Sequence, residues 1–562
     1  MPIPVRNSPE IWSLDPPAFR QSLTVFQRNR FSCRRKFSRK MINLVSAWSE
    51  RLRSLTGRKR YWAAFLFGLM SGLAFPPFNA VAAFWFFFPS LVFLLQGTAD
   101  KRRAFAIGWC YAFGLLIVSL YWIAGALFVD IRQFWWLVPF AAVGLPAMFA
   151  VYYGIAALLA MRWGLARLDG LLMFALLWGL ADYARGHFFT GLPWDITGYV
   201  WGDVLPVLQT ASVLGLYGLS LFTLVLAVLP AALAPPVYSR PVLLVFFSGF
   251  LVLAAAAAWG YWRLDTAPVE FVSEVRLRLV QPDIDQARKW QRDERDLNFQ
   301  KLLVLSSEPA EKPVTHVIWP ETATAFFLTE DENAREAIAS AIEGKKALLT
   351  GVIQRKAGPY GEPEYFNSLI AIDTKARVIA GYAKFHLVPF GEYVPFRSVL
   401  PFRAVAAVGD FTPGEGLQTM RVPGLPPFSP LVCYEAIFPG ETARRDDPPR
   451  FLLNITNDAW YEGTIGPYQH FTISRARAVE EGLPLVRAAN KGISGVVDGY
   501  GRTIASSRWG KPVFIDSDLP EPIEEGTLFS CWGGAVFWVL AGVLFAAALL
   551  LKKKRGAFRK RW

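Results

Sequence analysis

One cysteine stands in the polar part of the chain, and its neighbours make it a candidate for chemistry. Cys433 ends the apolar run Ser429-Pro-Leu-Val432 and directly precedes Tyr434-Glu435. A thiol at a strand-to-turn junction can project into a cleft, but nucleophilic use needs a lowered pKa or a base within hydrogen-bond reach. Taken alone, such a cysteine is more often structural. Two other stretches supply complementary groups. Val317-Ile-Trp-Pro-Glu-Thr322 ends in a carboxylate, Glu321, and Gly381-Tyr-Ala-Lys-Phe-His-Leu-Val-Pro-Phe-Gly-Glu392 carries Lys384 and Glu392. Proline cannot continue a central ladder, so a strand stops at Pro320 and Glu321 emerges at its tip. The same acid could equally open a helix. Lys384, at another strand end, reads by itself as a solvated charge; beside a thiol and a carboxylate it could donate to an oxyanion. Three groups at three strand ends, where ligands collect in α/β sheets, would suit acyl transfer through a thioester.

The elements that must position these groups follow from periodicity. Val275-Arg-Leu-Arg-Leu-Val280 alternates apolar and basic residues and predicts a half-exposed strand. Further strands are predicted at 315–319, 347–353, 367–373, 376–383, 429–433 and 450–456, with helices at 292–306, 331–344 and 468–482. The alternation describes an α/β layer protein. Neither G-x-G-x-x-G nor G-x-x-x-x-G-K-[ST] follows these strands, so a nucleotide site has no support.

The rest of the chain is greasy. Of 562 residues, 53% are hydrophobic and only 19% charged, a balance that points to a membrane protein with a water-exposed part. Seven membrane segments are predicted ahead of the polar region, near 61–76, 79–98, 104–128, 134–161, 168–185, 205–234 and 241–262, and an eighth at 531–551. Lys101-Arg-Arg103, Arg162 with Arg167, and Arg240 fall in every second connection, with Arg132 and Arg185 as exceptions on the other side. By the positive-inside rule both termini are cytoplasmic and the polar region lies outside. The net charge of +14 belongs to these connections and the two ends, which speaks against nucleic acid as the partner. Four domains are expected: a disordered basic tail over 1–60, with Met41 as an alternative start; a membrane domain over 61–264; an α/β domain over 265–526; and a final helix with a basic tail over 527–562. Arg185-Gly-His-Phe-Phe-Thr-Gly-Leu-Pro-Trp194 reads as an ordinary loop or as an interfacial loop with Arg185 near a lipid phosphate and Trp194 at headgroup depth. Cys110 and Cys531 read as small buried hydrophobes, and neither the four cysteines nor the four histidines are spaced for a metal.

Trp319-Pro-Glu-Thr322, Lys384-Phe-His-Leu-Val-Pro-Phe-Gly-Glu392, Val432-Cys-Tyr-Glu435, Asn457-Asp-Ala-Trp460, Gly466-Pro-Tyr-Gln-His470 and Arg475-Ala-Arg-Ala478 occur in that order. With the Arg185–Trp194 stretch and the flanking hydrophobic segments, the chain resembles the apolipoprotein N-acyltransferase family, the membrane-embedded branch of the nitrilase superfamily. The resemblance runs from about Phe65 to Leu551 and departs at Asn490-Lys-Gly492, where a second Asn is common, and in the long basic tail. It implies about eight transmembrane helices with an inserted nitrilase-like αββα sandwich. It implies Cys433 as nucleophile, Glu321 as general base and Lys384 as oxyanion stabiliser. Glu392 and Glu435 would orient or polarise these groups, Tyr434 would shape the pocket, and Trp290 would lie near its mouth. His386 and His470 would be structural. No cofactor is implied. The donor would be a phospholipid such as phosphatidylethanolamine, the acceptor a diacylglyceryl-apolipoprotein, and the protein a monomer of the bacterial inner membrane with its catalytic domain in the periplasm. A membrane-tethered amidase hydrolysing a small amide is the alternative; a channel or scaffold would leave the three site stretches unexplained.

Overall fold

The structure is a computed structural model and describes residues 42–358, 361–395, 397–398, 404–405 and 410–559. Residues 1–41, with Cys33 and the alternative start at Met41, lie outside the described residues, as do 560–562.

Two sheets form the polar region. The first has the order β11-β1-β2-β3-β4-β5, with β1 Phe271–Gln281, β2 His316–Ile318, β3 Ala347–Ala357, β4 Pro363–Asp373, β5 Val378–Ala383 and β11 Val513–Pro520. The second has the order β10-β9-β8-β7-β6, with β6 Phe428–Val432, β7 Phe451–Thr456, β8 Leu485–Ala489, β9 Gly495–Val497 and β10 Thr503–Ser506. β1-β2-β3 and β6-β7-β8 are parallel runs, so the ends of β2 and β6 carry their side chains out of the same kind of edge. Leu277, Ile318, Leu349 and Leu369 of one sheet meet Val432, Leu453, Val486 and Val496 of the other in a single apolar layer. Helices Arg292–Ser307 and Glu332–Ala341 cover the outer face of the first sheet through Leu302, Ile338 and Ile342. Helix Gly466–Glu481 covers the second through Phe471 and Ala478. The result is an αββα sandwich. Pro430 sits inside β6 without cost to the ladder because β6 is an edge strand.

Five helical stretches among the described residues are long and apolar enough to cross a bilayer: Lys101–Leu137, Phe140–Trp163, Ala211–Ala232, Pro241–Thr266 and Ala535–Lys553. Gly57–Gly72, Val81–Gln96 and Leu168–His187 complete the bundle. Helices Gly57–Gly72 and Lys101–Leu120 pack closely through paired glycines: a Cβ on Gly68 would lie 1.9 Å from the Tyr111 carbonyl oxygen, and one on Gly114 2.2 Å from that of Phe65. Helix Gly466–Glu481 and the turn after β6 share the core of this bundle through Ile437, Phe438, Ile473, Ala476 and Val479.

Four expectations are corrected. Residues 42–53, placed in a disordered tail, form a helix, because Leu52 is buried against the bundle and Trp48 Nε1 donates to Ser90 Oγ at 3.0 Å. The segment expected at 134–161 is regular only from Leu145; residues 121–144 are 3-10, short α and π turns that rest partly on the polar region. β1 is not half-exposed at Arg278, which is fully buried and paired with Asp516 at 2.8 Å while its guanidinium also donates to the carbonyls closing helix Arg292–Ser307. Cys531 is exposed on the protein surface rather than buried, since it lies on a short helical turn before the last long helix.

Candidate active site

Each candidate group leaves a strand at the same end of the sandwich. β2 stops at Ile318, and Trp319-Pro320 turns the chain so that Glu321 follows it buried. The turn packs against Gly351 of β3, where an added Cβ would stand 2.5 Å from Glu321 Cα. Lys384 follows β5, and its backbone N–H donates to the Asn367 carbonyl of β4 at 2.8 Å. Cys433 follows β6 in the left-handed region, with φ of +53°, an uncommon and strained setting for a residue with a side chain.

Lys384 and two carboxylates form one buried cluster. Lys384 Nζ lies 2.8 Å from Glu392 Oε2 and 4.0 Å from Glu321 Oε1. Asn367 Nδ2 donates at 2.8 Å to both Glu321 Oε1 and Glu392 Oε1, and Val388 N–H donates to Glu392 Oε2 at 2.7 Å. Glu321 Oε2 is buried and has no hydrogen-bond partner among the described residues, so one carboxylate oxygen is free to accept a proton. The Cys433 thiol lies within the electrostatic reach of both Glu321 and Lys384.

Burial is the first influence on all three groups. It pushes the Cys433 thiol up, the Glu321 charge adds to that, and Lys384 opposes it. It pushes Glu321 up as well, against the pull of Lys384. It works against the Lys384 ammonium, but Glu392, Glu321 and Cys433 outweigh it, so Lys384 holds its proton more firmly than usual. The resting site therefore keeps a neutral thiol beside a carboxylate of raised basicity and a fixed cation.

Glu435 braces the other side. It is buried, and its Oε1 accepts from Tyr382 Oη at 2.8 Å, Phe385 N at 2.9 Å and His386 N at 3.3 Å, while Oε2 accepts from Val432 N at 2.7 Å. One side chain thus ties the Cys433 turn to the Lys384 strand. Burial pushes Glu435 up to about 7 despite Lys384 and these donors.

Residues 67–229 match the family described as the apolipoprotein N-acyltransferase N-terminal domain, and residues 276–524 match carbon-nitrogen hydrolase. An apolipoprotein N-acyltransferase of Brucella melitensis is 39% identical over 515 residues, 88% of this chain and 95% of that one. Another of Rhodopseudomonas palustris is 36% identical over 541 residues, 92% and 99% of the two chains. The chain belongs to the apolipoprotein N-acyltransferase family. Among solved structures, an amidase from Nesterenkonia sp. aligns with a TM-score of 0.32 and 20% identity over 45% of this chain and 94% of that one.

In this N-acyltransferase family member the Arg185–Trp194 loop faces the α/β region and is bonded to it. His386 Nε2 lies 2.8 Å from the Thr190 carbonyl, Tyr434 Oη donates to the Gly191 carbonyl at 2.6 Å, and Trp194 Nε1 donates to Gln469 Oε1 at 2.8 Å. Gly191 has φ of +73° and a Cβ there would be 2.2 Å from the Gly186 carbonyl oxygen, so the loop closes only with glycine. Two placements differ from expectation. Arg185 is 1% exposed and does not face a headgroup: its Nη1 donates to the Leu192 and Trp194 carbonyls at 2.9 and 2.8 Å, and its Nε to Tyr153 Oη at 3.0 Å. Loop carbonyls that would otherwise be orphaned in the bundle take up its Nη1 donors. Trp194 is buried rather than open to a headgroup, its ring tilted at 44° to that of Trp122 with centroids 4.5 Å apart. Trp290 is half-buried in an apolar cluster with Ile353, Leu387 and Phe411. His470 is buried with Nδ1 2.9 Å from Asp458 Oδ1, and Asp458 is held down to about 2 by Arg487 and His470 against its burial.

Periodicity alone missed several members of the site. Asn367, which bridges the two carboxylates, carried one signal: a polar residue inside the apolar run Tyr365-Phe-Asn-Ser-Leu-Ile370. Tyr382, Asp458 and Gln469 stand in the quoted stretches without an assigned role, and their roles, like that of Arg487, follow only from their partners.

Proposed function

We propose that this protein moves an acyl chain from a phospholipid, through a thioester on Cys433, to the α-amine of an S-diacylglyceryl-cysteine at a lipoprotein N-terminus. The observation that carries this reading is the joining of a Glu321–Lys384–Cys433 cluster to a bundle of long apolar helices in a chain of this family. Glu321 takes the thiol proton on its unpartnered oxygen. The sulfur attacks the sn-1 ester carbonyl, Lys384 with backbone N–H groups holds the oxyanion, and a lysophospholipid leaves with the proton returned from Glu321. The acceptor amine then attacks the thioester, Cys433 recovers its proton, and an amide forms downhill from the thioester. Two half-reactions on one sulfur give ping-pong kinetics. Glu392 and Asn367 orient Lys384 and Glu321, and Glu435 fixes the Cys433 turn.

On this reading the α/β domain, residues 265–526, lies on the periplasmic side of the inner membrane, above about eight crossings within 61–264 and 527–562, with both termini cytoplasmic and the chain acting as a monomer. Reporter fusions at the 101–103 connection that fold and fluoresce in the cytoplasm support that orientation; periplasmic activity there reverses it. Intact-mass spectrometry tests the chemistry. With phosphatidylethanolamine the protein is expected to gain one fatty-acyl mass on Cys433, and Cys433→Ser to gain none. Free fatty acid released without an adduct favours amidase-type hydrolysis, and transfer by Cys433→Ser at the original rate removes the nucleophile assignment.

A further inference from the structure

The strand that carries the nucleophile, β6, lies at the edge of its sheet, with β7 as its one ladder partner. Leu431 of β6, Asn454 of β7 and Arg487 of β8 stand opposite one another in the parallel register. Asn454 and Arg487 are fully buried, and the chemistry above gives neither a task. Asn454 Nδ2 donates to the Leu431 carbonyl at 2.9 Å and makes a longer contact, 3.5 Å, with the Cys433 carbonyl. One amide thus reaches the carbonyls on both sides of Val432, where the chain leaves β6 and enters the left-handed conformation at Cys433.

Arg487 decides which way that amide faces. Its Nη1 donates to Asn454 Oδ1. A guanidinium offers donors alone, so the amide turns its oxygen to Arg487 and its Nδ2 to the two carbonyls. Arg487 is clamped in turn. Its Nη2 donates to Asp458 Oδ2 at 2.8 Å, its Nη1 to Ser474 Oγ at 3.2 Å and its Nε to the Ile493 carbonyl at 3.3 Å. Asp458 and Ser474 are fully buried as well, and Asp458 Oδ1 accepts from Tyr461 Oη at 2.7 Å. A buried ion pair adds little net stability, and its best use is to fix one conformation. Here the conformation fixed is that of the nucleophile's own backbone. A carbonyl and the N–H that follows it share one planar trans peptide and point to opposite sides. Holding the Cys433 carbonyl therefore also orients the Tyr434 N–H, the backbone donor next to the sulfur.

We propose that Asn454 is a positioning residue for acyl transfer: aimed by Arg487, its amide holds the Leu431 and Cys433 carbonyls so that the Tyr434 N–H faces the oxyanion as it forms. This rests on the reading of Cys433 as the acyl carrier.

Two reactions of the same sulfur separate this role from a merely structural one. Acylation by p-nitrophenyl octanoate joins the sulfur to the ester carbonyl carbon, passes through an oxyanion and releases p-nitrophenol, which carries away the thiol proton. Alkylation by iodoacetamide joins the sulfur to the acetamide methylene carbon, releases iodide and the thiol proton, and forms no oxyanion. Both are followed on the full-length protein in detergent, the first as the p-nitrophenol burst and the second as mass gain on the Cys433 peptide. In Asn454→Leu the acylation rate divided by the alkylation rate is expected to fall at least about tenfold, since loss of one oxyanion donor costs roughly 10²–10³ in rate. Asn454→Asp keeps an acceptor for Arg487 but lacks the N–H donors; it should show the same fall and serves if the Leu variant does not fold. Equal slowing of both reactions, or of neither, leaves the ratio unchanged and overturns the proposal. Failure of the acyl-carrier reading is distinct: the unaltered protein is then alkylated at Cys433 but acylated by neither p-nitrophenyl octanoate nor phosphatidylethanolamine, and the proposal falls with it.

Discussion

At the scale of single residues, the site depends on how closely backbone can approach backbone. Gly351 lets the Glu321 turn lie against β3; its N–H donates to the Pro320 carbonyl at 3.1 Å, and its own carbonyl accepts from Ala323 N–H at 2.8 Å. A methyl group at Gly351 would meet Glu321 Cα at 2.5 Å and Thr322 N at 2.6 Å, both backbone atoms that cannot swing aside. Gly351→Ala is therefore expected to displace Glu321, slowing acyl-adduct formation by at least about tenfold and destabilising the fold by roughly 1–3 kcal/mol, as overpacking does. Stopped mass measurements and a melting curve check the two effects; unchanged rates would show that the turn accommodates the methyl. The acid, lysine and thiol were legible as residue types at strand ends. Asn367 and Gly351 were not, because their roles exist only where two strands lie side by side.

At the scale of elements, one loop couples the bundle to the site. Phe188 and Phe189 are exposed at its tip, Phe189 to 91%, while Thr190, Gly191 and Trp194 hold His386, Tyr434 and Gln469. Tyr434 adjoins the nucleophile, so movement of the loop reaches Cys433 through one hydrogen bond. Tyr434→Phe keeps the ring against Phe438, whose centroid is 5.1 Å away, but loses the donor to the Gly191 carbonyl. The expected cost is roughly 0.5–1.5 kcal/mol of loop docking, seen as faster protease cleavage at Phe188–Phe189. Cleavage at the original rate would show that His386 and Gln469 suffice. Sequence left this stretch as either a plain loop or an interfacial one. Its Gly/Pro pattern shows a broken helix, but its partners lie about 200 or more residues away in the chain, beyond any periodic signal.

At the scale of the whole molecule, helix Gly466–Glu481 drives charged residues into the bundle. Glu480 is fully buried and its Oε1 accepts from Leu216 N–H at 2.6 Å, next to Gly215, where the Ala211–Ala232 helix breaks with φ of +66°. Glu481 is buried beside it with one oxygen unpartnered among the described residues. Burial pushes Glu480 up to about 7, and burial with the Glu480 charge pushes Glu481 up to about 8, both from 4.5. A folded carboxyl raised above its unfolded value binds more protons in the native state, so stability falls as pH rises through that window. The docked state is expected to lose stability progressively from about pH 4.5 to about pH 8. Glu481→Gln removes one of these charges and should raise the melting temperature at pH 8.5 by a few degrees, with a flatter dependence on pH. An equal or lower melting temperature at pH 8.5 would place the loss elsewhere.

What the sequence determined by itself is what short-range chemistry encodes: long apolar runs, alternating strands and helices, and an acid, a lysine and a thiol at strand ends in motifs shared with a family. Only the tertiary structure decided the fate of groups whose environment is made by distant chain. Arg278 alternates like a surface residue yet is buried, because β11 brings Asp516 to it from 238 residues away. Arg185 looks placed for a phosphate yet holds its own loop, because the fold buries it beside the Leu192 and Trp194 carbonyls. Periodicity records which face a residue takes; whether a charge on that face meets solvent, lipid or a partner depends on contacts that sequence separation hides.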